Sequence, residues 1–161
     1  MKLEEYNISV DHHSDGVFRF ILKNIKDEDK ARDIVQDSFE KLWRNVENVN
    51  FLKVKSYLYT TAYRTMIDLI RKEKRKEDFD KVDVRAYAHS EHYTDLKEIL
   101  DQALERLSEI QRSVVLLRDY EGYSYQEIAE ITDLTESQVK VYIYRARKKM
   151  KEYIGHMETL V

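Results

Sequence analysis

Apolar positions in the N-terminal half of the chain recur at the three- and four-residue spacing of amphipathic helices. This spacing predicts helical structure over Val17–Val46, with a break in the charged stretch that follows residue 25. Asp27 or Asp29 could cap the helix after that break. Residues 45–50 predict a loop, and the apolar pattern that follows predicts a further helix over 53–75.

Residues 78–91 combine a high density of charge with weak periodicity, which predicts a linker. Helical spacing returns over 96–107. Ser108 then precedes a helix that is expected to end at Gly122, because glycine is the usual residue just beyond a helix.

Residues 124–149 have the form of a helix-turn-helix, with a short helix, a tight turn and a longer basic helix. Ser124 and Glu127 have the spacing of a capping box at the start of the first of these helices. Thr135 or Ser137 is expected to start the second.

The composition supports an all-α protein. The 161 residues include no proline and only three glycines, and tight turns and loop-built sites depend on both residue types. The absence of cysteine excludes disulfides, thiolate metal sites and cysteine nucleophiles. With no signal-peptide pattern and no apolar run of about 18 residues, we expect a cytoplasmic protein without membrane contact.

Charge is distributed unevenly along the chain. The net charge of −3 argues against a free-standing DNA-binding protein driven by charge alone. Residues 64–76 nevertheless carry six cations against two acids, and residues 140–151 carry six cations and no acid. Two basic segments therefore flank an acidic connector.

The second helix of the helix-turn-helix has the pattern of a DNA recognition helix. Its apolar stripe is expected to pack on the preceding helix, and the opposite face to contact base edges and phosphates in the major groove. An ordinary amphipathic helix with a solvated charged face remains the alternative. Asp133 occupies the turn position where glycine is commonest, and aspartate tolerates the left-handed conformation needed there. The predicted DNA-contacting residues are Glu136, Ser137, Lys140, Val141, Tyr144, Arg145, Arg147 and Lys148.

The stretch Asp33–Trp43, DIVQDSFEKLW, closely resembles the core-polymerase-binding segment of RNA polymerase sigma factors of the extracytoplasmic-function type, in the sigma-70 family. The resemblance implies that a polar face of this helix binds a basic coiled coil on the polymerase beta-prime subunit. By itself such a face could simply be solvated, and Trp43 could belong to the core or to an interface. The implied polymerase-binding residues are Asp33, Gln36, Asp37, Glu40 and Trp43.

The segment that runs from Ser56 to Lys72 resembles the part of these sigma factors that melts and reads the minus-ten element. Its tyrosines alternate with cations, an arrangement that suits single-stranded DNA, where bases stack on rings and phosphates pair with cations. Tyr59 is the tyrosine most expected to be half-buried instead, and the loop around 48–51 resembles one that captures a flipped base. The implied minus-ten contacts are Asn50, Tyr57, Tyr63, Arg64, Arg71, Lys72 and Arg75.

The helix-turn-helix resembles the segment of the same family that reads the minus-thirty-five element. The resemblance then implies two small helical domains: a region 2-like bundle over 1–76 and a region 4-like helix-turn-helix over 96–161, joined by an acidic linker over 77–95. It also implies three partners, namely the beta-prime and beta subunits of core polymerase, promoter DNA and an anti-sigma factor. Neither a cofactor nor an enzymatic activity is expected, because catalysis belongs to the polymerase.

Two other functions compete with this interpretation. A conventional helix-turn-helix regulator would bind duplex DNA alone through a dimer, but the aromatic and basic segment Tyr57–Lys76 would have no role in it. A metal-dependent hydrolase could use His12 and His13 together with His89 and His92, whose spacing suits two ligands. No second ligand cluster accompanies that pair in the sequence.

Overall fold

The computed structural model of the protein describes residues 1–80 and 96–159, and all regular elements in those ranges are helical. The N-terminal half forms three long helices and the C-terminal half four. A 3₁₀ turn precedes the third helix, and a π-helical segment continues the fifth. The elements are α1 (Leu3–Ile25), α2 (Glu28–Arg44), the 3₁₀ turn (Phe51–Lys53), α3 (Val54–Asp80), α4 (Leu96–Glu105), α5 (Glu109–Val115), the π segment (Leu116–Tyr120), α6 (Tyr125–Thr132) and α7 (Glu136–Thr159).

The break between the first two helices lies where the charge pattern predicted it. Lys26 ends α1 in the left-handed conformation, with φ of 57°. Asp27, rather than Asp29, caps α2 by accepting a hydrogen bond from the Lys30 amide at 3.1 Å. The first helix begins at Leu3, fourteen residues before the predicted start. In the early turns of α1 a buried position is occupied by Ser9, whose hydroxyl donates a hydrogen bond to a backbone carbonyl one turn earlier. Because this buried residue is polar, the apolar spacing that predicts a helix is interrupted in the first part of α1.

Capping boxes begin two helices of the C-terminal half, and the one at Ser124 confirms the prediction. Ser108 caps α5 in a capping box with Gln111, and Ser124 caps α6 in one with Glu127. Each serine hydroxyl accepts a bond from the amide three residues ahead, and each longer side chain accepts one from the serine amide.

The turn of the helix-turn-helix is formed as the sequence predicted. Asp133 adopts the left-handed conformation, with φ of 58°. Thr135, rather than Ser137, precedes α7, and it exchanges two hydrogen bonds with Gln138 at 2.9 and 3.1 Å. Gly122, which also has a positive φ of 77°, ends the turn after the π segment.

The two helical halves pack against each other around a shared core. Helix α1 contacts α4 and α5, and α3 contacts α6. At the centre of this seam the buried Tyr59 ring lies 5.1 Å from the ring of Tyr123, with the two planes nearly perpendicular. The all-α architecture with a bundle and a helix-turn-helix is therefore as predicted, but the halves contact each other directly. Helix α3 also extends to Asp80, into the predicted linker, and residues 81–95 of that linker lie outside the described residues.

Polar contacts accompany the apolar ones along the seam. Arg112 donates to the carbonyl of Asn24, at the end of α1, at 2.8 Å and also to three carbonyls at the C-terminal end of α4. The Ser113 hydroxyl donates to the Asn24 side chain at 3.1 Å, and Lys23 pairs with Asp101 at 3.2 Å. Burial lowers the pKa of the Arg112 guanidinium, because desolvation disfavours its charged form. Among the described helices, none has the length and hydropathy to cross a membrane.

Candidate nucleic-acid and protein interfaces

The predicted polymerase-binding residues lie along one side of α2. Asp33, Gln36 and Glu40 are exposed, and Trp43 keeps 50% of its surface accessible. The Trp43 ring rests against the ring of Tyr6 at 5.1 Å, so the indole is fixed in position while its outer face stays open. The result is an acidic and polar surface that ends in one large aromatic.

Asp37 differs from its neighbours on this surface. It is half-buried and forms an ion pair at 3.0 Å with Lys41, which also donates to the hydroxyl of Thr65 on α3. A shallow groove of about 270 Å³ lies between α2 and α3 beside Asp33 and Asp37. The acidic surface therefore continues into this groove.

The tyrosines of α3 do not share one exposed face. Tyr57 is half-buried, and its hydroxyl accepts from Asn45 at 3.2 Å and donates to the carbonyl of Lys41 at 3.4 Å. Tyr59 is fully buried, beyond the partial burial expected for it. Tyr63 is only 7% exposed, contrary to the expectation of an accessible ring. Burial, and then the charge of Glu109 on α5, raise its pKa to about 12. In this arrangement the Tyr63 ring is covered and has no free face for a base.

The predicted cations of α3, in contrast, are all exposed. Arg64, Arg71, Lys72 and Arg75 form no ion pair with any residue in the described ranges. The last three of them line an open cleft of about 620 Å³ together with Asp68 and Lys74. This surface offers several cations that can adjust to a flexible anionic chain.

The loop before α3 presents both a polar and an apolar side chain. The Asn50 side chain accepts from the amide of Leu52 at 3.0 Å, which holds the 3₁₀ turn in place. Leu52 is 88% exposed, the highest value among the large hydrophobic residues of the described chain. Sequence reasoning missed it, although an apolar residue in a polar loop beside the predicted base-capture segment was an available signal.

The helix-turn-helix forms a tight unit whose apolar wedge is fully buried. Ile128 and Ile131 from α6 meet Val139, Ile143 and Ala146 from α7, and each of the five is at most 1% exposed. The opposite face of α7 is open to solvent from Glu136 to Lys149. The eight predicted DNA-contacting residues, Glu136, Ser137, Lys140, Val141, Tyr144, Arg145, Arg147 and Lys148, are all exposed.

Two of the cations on this face are held by neighbouring groups. Arg147 donates twice to the carboxylate of Asp119, at 2.5 and 3.0 Å, and these bonds raise the pKa of its guanidinium. Lys140 lies 3.7 Å from Glu136 and 5.6 Å from the centre of the Tyr125 ring, whose face Arg118 also covers at 4.4 Å. Asp119, Tyr125 and Arg118 thus organise the cationic face, although the sequence analysis assigned them no such role.

The π segment connects this face to the seam between the two halves. The Glu121 amide bonds to the Leu116 carbonyl at 3.0 Å, five residues back. The three consecutive residues at the C-terminal end of this segment contact three different helices: Asp119 binds Arg147 on α7, Tyr120 lies under Lys23 of α1, and Glu121 binds Tyr59 on α3. The Glu121 carboxylate also accepts two hydrogen bonds from Arg19 of α1.

Among residues 1–77 and 96–157, no group of three or more histidine and acidic side chains could hold a metal ion. His12 and His13 lie side by side on α1, with ring centres 6.3 Å apart. His89 and His92, the other two candidate ligands, lie outside the described residues.

Comparison with known families identifies both halves of the chain. The family described as Sigma-70 region 2 matches residues 10–76, and Sigma-70, region 4 matches residues 97–150. The RNA polymerase sigma factor SigV of Bacillus subtilis is 35% identical over 142 residues, which cover 86% of this chain and 84% of that protein. The chain belongs to the RNA polymerase sigma factors.

Within that family the chain is an extracytoplasmic-function sigma factor. The relative named ECF RNA polymerase sigma factor SigM, from Bacillus subtilis, is 26% identical over 144 residues that cover 86% of this chain and 88% of that one. In the sigma factor, the region 2 match takes in most of α1 together with α2, the 3₁₀ turn and nearly all of α3. The region 4 match takes in α4 to α6 and the part of α7 that carries the exposed cations.

Solved structures share the fold of this sigma factor across nearly its whole length. The sigma factor RpoE from Bartonella quintana, in complex with the anti-sigma factor NepR, matches with a TM-score of 0.79 and 26% identity, covering 95% of this chain and 98% of that one. CnrH, in complex with the cytosolic domain of CnrY, matches with a TM-score of 0.70 at 22% identity and supports the fold alone.

Proposed function

We propose that this sigma factor binds RNA polymerase core and directs promoter-specific transcription initiation, reading the minus-ten element with region 2 and the minus-thirty-five element with its helix-turn-helix. The observation that carries the proposal is the presence of three exposed surfaces on one chain of this family: the acidic side of α2, the cations of α3 and the cationic face of α7. The first suits a basic protein surface and the other two suit nucleic acid.

The side of α2 that carries Asp33, Gln36, Glu40 and Trp43 is the proposed docking surface for the beta-prime subunit. The carboxylates and the amide can pair with cations of a basic partner, while the exposed indole supplies the large apolar contact typical of interface centres. Asp37 takes part through the groove that it lines, and its pairing with Lys41 fixes its position. The beta subunit is the second expected contact in the core.

The minus-ten element is the proposed ligand of α3 and of the loop before it. Tyr57 can offer a partly open ring to an unpaired base, and Asn50 with the exposed Leu52 lies in the loop beside it. The phosphates of the separated strand would then follow the cations of α3. Tyr63 can join this surface only after a rearrangement that uncovers its ring, which is buried in the present arrangement. The proposed cations are Arg64, Arg71, Lys72 and Arg75.

The minus-thirty-five element is the proposed ligand of α7. Glu136, Ser137, Lys140 and Val141 occupy the first two turns, where a recognition helix meets base edges in the major groove. Tyr144 and the cations Arg145, Arg147 and Lys148 follow along the helix and would contact the phosphates.

Three further properties accompany this function. Catalysis resides in the polymerase, so the sigma factor itself has no enzymatic activity. It acts in the cytoplasm, where core polymerase transcribes. An anti-sigma factor is a further expected partner, because the RpoE of Bartonella quintana that shares this fold was solved with the anti-sigma factor NepR.

The experiment that tests the proposal measures the affinity of bacterial core polymerase for the full chain and for the double variant Asp33→Ala/Gln36→Ala. We expect stoichiometric binding by the wild type and at least a tenfold weaker affinity for the double variant, since it removes two of the exposed polar side chains of the docking surface. Glu28→Ala, which removes an exposed acid from the start of the same helix, is the matched control and should bind as the wild type does. A chain that ignores core polymerase but binds duplex DNA tightly alone would contradict the proposal and support a conventional regulator.

A further inference from the structure

The packed arrangement of the two halves is too small to contact both promoter elements at once. The minus-ten and minus-thirty-five elements are about 25 base pairs apart, as their positions relative to the transcription start imply. At 3.4 Å per base pair this separation is about 85 Å along duplex DNA. A compact chain of 161 residues has a radius of gyration of only about 15 Å and so spans roughly 40 Å. The inference that follows therefore rests on the proposed function, because a sigma factor that reads both elements must open from this closed arrangement.

One carboxylate joins the two halves at the seam. Glu121, at the end of the π segment, accepts a hydrogen bond from the Tyr59 hydroxyl of α3 at 2.5 Å. It also accepts two from Arg19 of α1, at 2.9 and 3.0 Å, in the bidentate geometry that makes arginine–carboxylate pairs strong and directional. Its side chain is only 3% exposed, whereas that of Arg19 is 50% exposed. A single region 4 residue is thus bound by two region 2 helices.

A glycine in α1 makes room for this contact. A Cβ atom added at Gly16 would lie 2.6 Å from the Tyr59 hydroxyl oxygen and 3.4 Å from a Glu121 carboxylate oxygen. Gly16 has no positive φ and lies within a 23-residue helix, where glycine is the least favourable residue after proline. The backbone therefore gives no reason for glycine at this position, whereas the Tyr59–Glu121 contact does.

The closed seam lies against the helix that is proposed to bind the minus-ten element. Lys55, Tyr59 and Tyr63 follow one another at four-residue intervals on α3, and the first two contact region 4. Lys55 lies 4.9 Å from the centre of the Tyr123 ring, Tyr59 packs edge-on against the same ring, and Tyr63 is buried near Glu109 of α5. Region 4 thus occupies the part of this face that carries Lys55 and Tyr59, one turn before the buried Tyr63.

We propose that Gly16, Arg19, Tyr59 and Glu121 form an intramolecular latch that keeps the free sigma factor closed, so that polymerase binds it only after the latch has opened. Binding to core then carries the cost of opening, and the apparent affinity falls with the fraction of open molecules. The buried Tyr123 hydroxyl acts against the latch. It has no hydrogen-bond partner among the described residues, and opening would expose it to water.

The absence of cysteine allows two spin labels to be attached without altering the native sequence elsewhere. Asp29→Cys on α2 and Lys149→Cys on α7 place them at exposed positions of the two halves. Pulsed electron–electron double resonance on the free, full-length protein then measures the distance distribution between them. We expect one short, narrow distribution for the wild type, and longer, broader distances for both Gly16→Ala and Glu121→Gln.

Further variants separate the latch from a general loss of stability. Gly16→Ala raises the helix propensity of α1, so an unchanged helical circular dichroism signal should accompany its opening. Tyr123→Phe keeps the ring but removes the unpaired hydroxyl, and its distance distribution should stay as short and narrow as that of the wild type. Glu130→Gln removes the charge of an exposed acid of α6 that forms no hydrogen bond or ion pair with the described residues of region 2; it is the matched control and should leave the distances unchanged.

Affinity for core polymerase supplies the second readout. Gly16→Ala and Glu121→Gln should bind core about three- to tenfold more tightly than the wild type, and Tyr123→Phe more weakly. A long, broad distribution in the wild type, or wild-type distances in both latch variants, would overturn the latch whatever the affinities. If no variant binds core at all, the proposed function fails, and the distances still decide whether the latch exists.

Discussion

The two helices proposed to contact DNA carry similar numbers of cations but hold them differently. Along α3 the four proposed cations are exposed and form no ion pair with another described residue. On α7, Arg147 is fixed by two bonds to Asp119, and Lys140 lies between Glu136 and the ring of Tyr125.

This difference matches the two states of DNA that the surfaces are proposed to meet. A separated strand has no fixed shape, so mobile, unpaired cations can follow its phosphates. A duplex presents phosphates and base edges in a fixed geometry, so cations that are oriented beforehand lose less freedom on binding. The charge pattern of the sequence shows only two basic segments; the acids and the aromatic ring that distinguish them come from the π segment, α6 and the start of α7.

Of the substitutions that test this difference between the two helices, Arg147→Ala should reduce the affinity for DNA the most. It removes an oriented cation from α7 and leaves the Asp119 carboxylate unpaired near the phosphates. We expect at least a tenfold loss of affinity of the polymerase complex for duplex containing the minus-thirty-five element. Fluorescence anisotropy with labelled duplex measures it. Lys149→Ala, a cation of the same helix outside the proposed contact set, serves as the control, and an equal loss there would mean that only total charge matters.

Arg71→Ala/Lys72→Ala should weaken binding of the single strand at the minus-ten element by about fivefold, and it should also change the salt dependence. Each lost phosphate contact lowers the slope of log affinity against log salt by about 0.7 for single-stranded DNA. The loss should be nearly the same for any base sequence. Titrations of an oligonucleotide at several potassium chloride concentrations measure the slope, and a sequence-dependent loss would argue against simple phosphate contacts.

Asp119→Asn tests whether the acid orients Arg147 or competes with DNA for it. The substitution keeps the shape of the side chain but removes the charge that fixes the guanidinium. If orientation dominates, duplex affinity should fall by about threefold despite the loss of a negative charge. A gain in affinity would show that Asp119 withholds Arg147 from the duplex, and the contrast with α3 would then have a different meaning.

The smallest expected effect concerns the start of the helix-turn-helix. Bonds with Ser124 lower the pKa of Glu127 below its ordinary value of 4.5. A carboxylate with a lowered pKa stabilises the folded state above its ordinary pKa, and that contribution is lost as the pH falls through the folded-state value. Glu127→Gln should therefore cost a few tenths of a kcal/mol at pH 7, and the cost should shrink as the pH falls below 4.5. Thermal unfolding of both proteins across this range measures it, and a constant difference would exclude a role for the charge.

Local signals in the sequence predicted most of the fold. The capping serines, Asp133 in the turn and the buried stripe of α7 each follow from residues close together in the chain. The packing of the two halves was not predictable in this way. Glu121 binds residues 62 and 102 positions away, and a lone acid after a helix gives no indication of such partners. The burial of Tyr63 was likewise not predictable, because its local pattern suggested exposure.

Transcription by the reconstituted polymerase is the most direct test of whether this sigma factor selects promoters. Core polymerase, supplied with the sigma factor, is given a library of promoter fragments, and the start sites of the transcripts are sequenced. The account predicts a defined set of start sites that requires the sigma factor, shares one minus-ten and one minus-thirty-five sequence, and disappears with Asp33→Ala/Gln36→Ala. If core polymerase bound the chain but initiated no more specifically than it does alone, the account of this chain as a promoter-selecting sigma factor would be contradicted.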